Sequence, residues 1–140
     1  MEVTAAYLGG TKFEVRARGH RLISDQPPDN GGQDAGPTPP EFLLASLASC
    51  AAYYAAQYLN TRQLPAADLM VRVKAEKATS SSNAPARLAS FLIEVSAPGL
   101  DDRHQTGILR AVKACLIHNT LLGHPAIEIA VLASAILPAA

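Results

Sequence analysis

Two short strand-like runs, Val3–Leu8 and Lys12–Ala17, are separated by Gly9-Gly10, and the second alternates apolar and polar positions. That pattern predicts a strand hairpin with arms Val3–Leu8 and Lys12–Ala17. In the second arm Phe13, Val15 and Ala17 alternate with Lys12, Glu14 and Arg16, which puts an apolar and a charged face on one strand. A short third strand is expected at Leu22–Ser24. The segment Gln26–Thr38 is rich in Pro, Gly, Asp and Asn and reads as a long loop, a candidate lid or connector. Two further alternating runs, around Val71–Glu76 and Phe91–Ala97, predict a second hairpin joined by the polar loop Thr79–Pro85. A last alternation, Ile127, Ile129, Val131 and Ala133, predicts a final strand over Ile127–Ala133.

Between the hairpins the period changes to that of a helix. Thr38-Pro39-Pro40-Glu41 has the capping-box pattern, with Thr38 at N-cap, Pro39 at the first helical position and Glu41 at N3. Phe42–Asn60 follows with Leu43, Leu47, Cys50 and Tyr54 on one stripe. The other side carries Ala and Ser in place of charge, so burial is expected around most of this helix. A second helix is expected from a cap at Asp101 or Asp102 to Gly123-His124-Pro125, with Ile108, Val112 and Cys115 on its apolar stripe. Strands, long helix, strands, helix, strand make an α+β class, with helices on a mostly antiparallel sheet in one domain over 1–140.

Composition narrows the functions. The 12 basic and 12 acidic residues cancel, so the charge footprint of a nucleic-acid binder is missing. The N-terminal residues lack a secretory pattern, and no apolar run reads as a membrane span, which leads to the expectation of a cytoplasmic protein. His20, His104, His118 and His124 have no zinc-site spacing, and neither a metal nor another cofactor is expected. His118 follows Cys115 by three residues and is a candidate neighbour of it. Tyr53, Tyr54 and Tyr58 read as core or dimer packing. The chain has 2 cysteines, and in a reducing compartment these are either buried small side chains or a chemical pair.

The segment Gly36-Pro37-Thr38-Pro39-Pro40-Glu41-Phe42-Leu43-Leu44-Ala45-Ser46-Leu47-Ala48-Ser49-Cys50 resembles the signature of the OsmC/Ohr family, the osmotically induced and organic-hydroperoxide-resistance proteins. Ala114-Cys115-Leu116-Ile117-His118-Asn119-Thr120-Leu121 resembles the second-cysteine helix of the same family. The resemblance implies an OsmC-like fold with a long buried central helix in an intertwined homodimer. It also implies a thiol peroxidase that reduces organic hydroperoxides, with Cys50 peroxidatic and Cys115 resolving, and with an external thiol as reductant. No bound cofactor is implied, because the thiols supply both electrons.

A peroxidatic thiol must ionise near neutral pH, and free cysteine titrates at about 8.5. Ohr-type members supply the cation from an arginine just after the first Gly-Gly turn, held by a glutamate of the Pro-Glu segment. Here Thr11-Lys12 occupies that place. Arg16, Arg18 and Arg21 lie further along, and Arg18 is favoured. Glu41 is the matching carboxylate, although nine helical residues place it about 13 Å along the helix from Cys50 and on the opposite side. Its alternative role is the helix cap alone. A non-catalytic dimer that binds a small apolar ligand, or one that senses peroxide, is the competing reading of the chain.

Overall fold

The protein is described by a computed structural model for residues 1–78 and 85–137. Its contacts divide the chain into two compact units, one formed by Met1–Phe42 with the segment from Ile127 onward and the other by Leu43–Ala126.

In the first unit β1 (Thr4–Gly9), β2 (Lys12–Ala17) and β3 (His20–Ser24) form an antiparallel sheet in that order. The expected turn holds: Gly9 and Gly10 have φ of 106° and 58°, a region that glycine enters without steric cost. The second turn is Arg18-Gly19, with Arg18 at φ 55°. Pairing of Tyr7 with Phe13, and of Val15 with Ala5 on one side and Leu22 on the other, gathers the apolar face, and the Tyr7 and Phe13 rings lie 5.7 Å apart. That face stays open to solvent at Tyr7, Phe13 and Leu22.

The loop after β3 is anchored. Asp25 is 1% exposed and accepts hydrogen bonds from Thr11 Oγ1 (2.6 Å), Gln33 N (3.0 Å) and Ala35 N (3.1 Å). Ser24 Oγ donates to Pro37 O, Lys12 Nζ donates to Gln33 Oε1, and a single 3-10 turn occupies Pro28–Asn30. This latticework holds the loop as a folded connector.

Helix α1 runs from Pro39 to Thr61, as the capping pattern predicts. Glu41 accepts from Thr38 N (2.7 Å) and Thr38 Oγ1 (2.8 Å), closing the carboxylate half of the capping box. The buried stripe is Leu47, Ala51, Ala55 and Leu59, one position round from the expected one. Ala51 and Ala55 are fully buried in one cluster with Leu59, Ile108 and Val112, so the alanines count as core positions here. Burial around most of α1 is not met within the chain. Ala45, Ser49, Tyr53 and Gln57 form an exposed line at four-residue spacing. By length and composition α1 is also apolar enough to cross a membrane, contrary to the expectation from the sequence, and its packed stripe instead makes it a core helix.

In the second unit β4 (Met70–Lys77) and β5 (Leu88–Ser96) pair antiparallel. Val71 faces Val95 and Val73 faces Ile93, and this face packs on the cluster of Ala51, Ala55, Leu59, Ile108 and Val112. The outer face carries Arg72 and Lys74 bonded to Glu94 at 2.8 and 3.2 Å. The loop expected at Thr79–Pro85 lies outside the described residues except for Pro85.

Two expectations fail here. The second helix is not continuous to Gly123: it divides into α2 (Asp102–Lys113) and α3 (Leu116–Leu122). Asp101 caps α2 by accepting from His104 N at 2.8 Å. The strand expected at Ile127–Ala133 does not form, and residues 127–137 contain no strand. Alternation alone does not make a strand, because its backbone needs the edge of a neighbour. Without one, Ile127, Ile129 and Val131 are left 85%, 90% and 96% exposed.

Candidate active site

Cys50 lies on α1, partly buried, in the turn that follows Leu47. Cys115 lies at the break between α2 and α3, with φ −56° and ψ 128°, and is fully buried. Leaving the helix there turns Cys115 into the N-cap of α3, where its Sγ accepts from His118 N at 3.5 Å. Asn119 completes the break by donating from Nδ2 to the carbonyls of Lys113 (3.2 Å) and Cys115 (3.1 Å). The Lys113 carbonyl at the interruption thereby gains a partner. An asparagine four residues after a mid-helix cysteine was the available signal for this break, and periodicity does not register it.

The two sulfurs come within hydrogen-bonding reach of each other, and both are free thiols. Burial, first, and the hydrogen bond with Cys50, second, push the Cys115 thiol above its ordinary value; the amides of His118 and Ile117 pull the other way with less effect.

Beside the pair is a cleft of about 1300 Å³ lined by Leu43 and Leu47 of α1, Phe91 and Ile93 of β5, and Ile108 and Val112 of α2. Polar groups sit at its margin, including Lys113 and His118. Its wall includes Leu47 and His118, three residues before Cys50 and three after Cys115, while neither sulfur is part of the lining. His118 is thus the one histidine of the four placed by the sequence near a cysteine that the structure ties to it directly, through its amide.

Arg18 is an exposed residue at the tip of the β2–β3 turn. Its neighbours in sequence are committed elsewhere. Arg16 pairs with Glu14, and Arg21 approaches the same carboxylate at 3.8 Å. None of the described ion pairs includes Arg18. Glu41 spends its described bonds on Thr38, which holds its carboxyl below the usual range. Tyr53 is exposed within the chain, and Tyr58 packs against the core cluster.

An α+β chain with antiparallel sheets and a free thiol pair between two helix segments defines the class of this protein. The model of the OsmC-like protein family matches residues 31–130, so the chain belongs to that family. Solved structures share the fold. An OsmC like protein from Mycoplasma pneumoniae superposes with a TM-score of 0.72 at 21% identity, over 87% of this chain and 86% of that one. An organic hydroperoxide resistance protein from Elizabethkingia anophelis gives 0.67 at 19% identity, covering 86% of each chain. An organic hydroperoxide resistance protein OsmC from Legionella pneumophila gives 0.66 at 16% identity, over 88% of this chain and 90% of that one. No curated protein sequence matches the chain.

Proposed function

We propose that this chain is a thiol peroxidase that reduces organic hydroperoxides to alcohols, with Cys50 attacking and Cys115 resolving. The observation that carries the reading is the meeting of the two thiols, the deeper of them pushed above its ordinary value by burial and by its neighbour. The Cys50 thiolate attacks the terminal oxygen of ROOH. The O–O bond breaks, the sulfur becomes a sulfenic acid, and RO⁻ leaves and takes a proton as ROH. Cys115 then attacks the Cys50 sulfur, the S–O bond breaks, and water leaves as the disulfide forms. A dithiol restores both thiols by exchange. The apolar cleft beside the pair suits the organic part of such a substrate, and two of the similar proteins are named for organic hydroperoxide resistance.

Arg18 is the proposed cation for Cys50. It is the arginine of its segment that Glu14 does not claim, whereas Arg16 and Arg21 are paired. Glu41 is proposed to orient it in addition to capping α1. The functional unit is proposed to be an intertwined homodimer in the cytoplasm, which would cover the open line on α1, the apolar sheet face at Tyr7 and Phe13, and the exposed Ile127–Val131 segment. Consumption of cumene hydroperoxide with a dithiol reductant tests the reading. Activity that Cys50→Ser abolishes supports it, and full activity in that variant refutes it.

A further inference from the structure

Helix α2 has two clefts on opposite faces, and the larger one described above uses Gln105, Ile108, Leu109 and Val112. The other face carries Arg103, Gly107 and Arg110, spaced four and three. It borders a cleft of about 520 Å³ that shares no lining residue with the first. Gly107 makes this cleft possible: a Cβ there would lie 1.9 Å from Tyr58 Oη. Tyr58 of α1 therefore lies against the helix backbone, and its hydroxyl shares a 3.2 Å hydrogen bond with His104 Nδ1. The Arg62 guanidinium stacks 3.9 Å from the centre of the Tyr58 ring.

Three of the chain's 12 basic residues thus converge on one cleft with an imidazole and the Thr106 hydroxyl. Among the described residues, no ion pair joins Arg62, Arg103 or Arg110 to a carboxylate. The acids of the same helix end are Asp101, which caps the His104 amide, and the exposed Asp102. Like charges held together without a carboxylate repel, and an anion seated between them removes that repulsion. Planar guanidinium forks match the oxygens of phosphate two at a time, and a doubly charged anion gains most from several of them.

We propose that this cleft binds a phosphate group, either free or carried as a monoester of a small molecule. Calorimetric titration of the full chain in buffered 0.15 M chloride, with inorganic phosphate and with phenyl phosphate, tests it. Saturable binding of either is expected, with the dissociation constant raised at least tenfold in the double variant Arg103→Gln/Arg110→Gln. That variant should melt no lower than the parent in the absence of phosphate, which separates lost binding from lost folding. Tighter binding of phenyl phosphate assigns an ester as the ligand, and equal binding assigns the free anion. Absence of saturable binding for both probes overturns the proposal, as does an unchanged dissociation constant in a folded double variant.

Discussion

Cys115 caps helix α3 with its own sulfur while lying within hydrogen-bonding reach of Cys50. The cap orients the buried thiol toward its neighbour on α1. One local interruption of the helix serves both relationships. The first prediction separates the roles. Cys115→Ser should leave a single turnover of peroxide per chain and a sulfenic acid at Cys50 that a dimedone probe traps, whereas Cys50→Ser should give neither. Equal labelling of both variants would remove the division of labour.

The Cys115 thiol, raised above the ordinary thiol value, also sets a pH response. In the unfolded chain it ionises at the ordinary value, and in the folded chain it ionises later. Its contribution to stability is therefore complete below about pH 9 and is lost as pH rises through the folded value. Cys115→Ser should flatten the alkaline decline in melting temperature under reducing conditions, measured from pH 8 to pH 10.5.

Asp25 has the opposite sign. Hydrogen bonds from Thr11, Ala35, Gln26 and Gln33 hold its carboxyl far below the ordinary value of 3.8, against the effect of burial. Its contribution is present above the ordinary value and disappears as pH falls toward the folded one. Asp25→Asn should lower the melting temperature at pH 7 and weaken its acid dependence. Hydrogen exchange at the Gln33 and Ala35 amides should accelerate, and unchanged exchange at both would contradict the anchoring role.

Gly107→Ala replaces a poor helix former with the best one, worth about 1 kcal/mol in favour of the helix. The new methyl group has no space beside Tyr58, and overpacking costs about 1–3 kcal/mol, so the net effect should be a loss of up to about 2 kcal/mol. Adding Tyr58→Leu should recover part of it. Urea unfolding of the single and double variants measures the coupling.

For the dimer, Ile129→Asp changes a side chain that is 90% exposed within the chain. If a second copy covers it, the substitution should shift the mass in solution from two chains to one, read by light scattering. A monomeric parent, or an unchanged dimer in the variant, would remove this segment from the proposed interface.

Much of the fold was legible along the chain because its signals are short-range. Gly9-Gly10 marked the first turn, Thr38 to Glu41 marked the start of α1 to the residue, and the alternation in Val71–Glu76 matched the buried face of β4. The stripe on α1 was displaced by one position because composition weighted Leu43 and Tyr54 above the alanines that the core cluster buries. Arg18 could be placed on a turn but not beside a sulfur, since a long flexible side chain in a strand segment carries no distance information.

The sequence by itself determined the elements, their order, the cap of α1 and the family, because each rests on neighbours within a few residues or on two contiguous motifs. Only the tertiary structure decided where the second helix breaks, that the thiols of Cys50 and Cys115 meet, and that Tyr58 lies across Gly107. It also decided that the alternating residues of Ile127–Ala133 form no strand within the chain. In each case the deciding partner is remote in sequence or missing, and a hydrogen-bonding edge or a packing surface leaves no periodic trace in the segment that needs it.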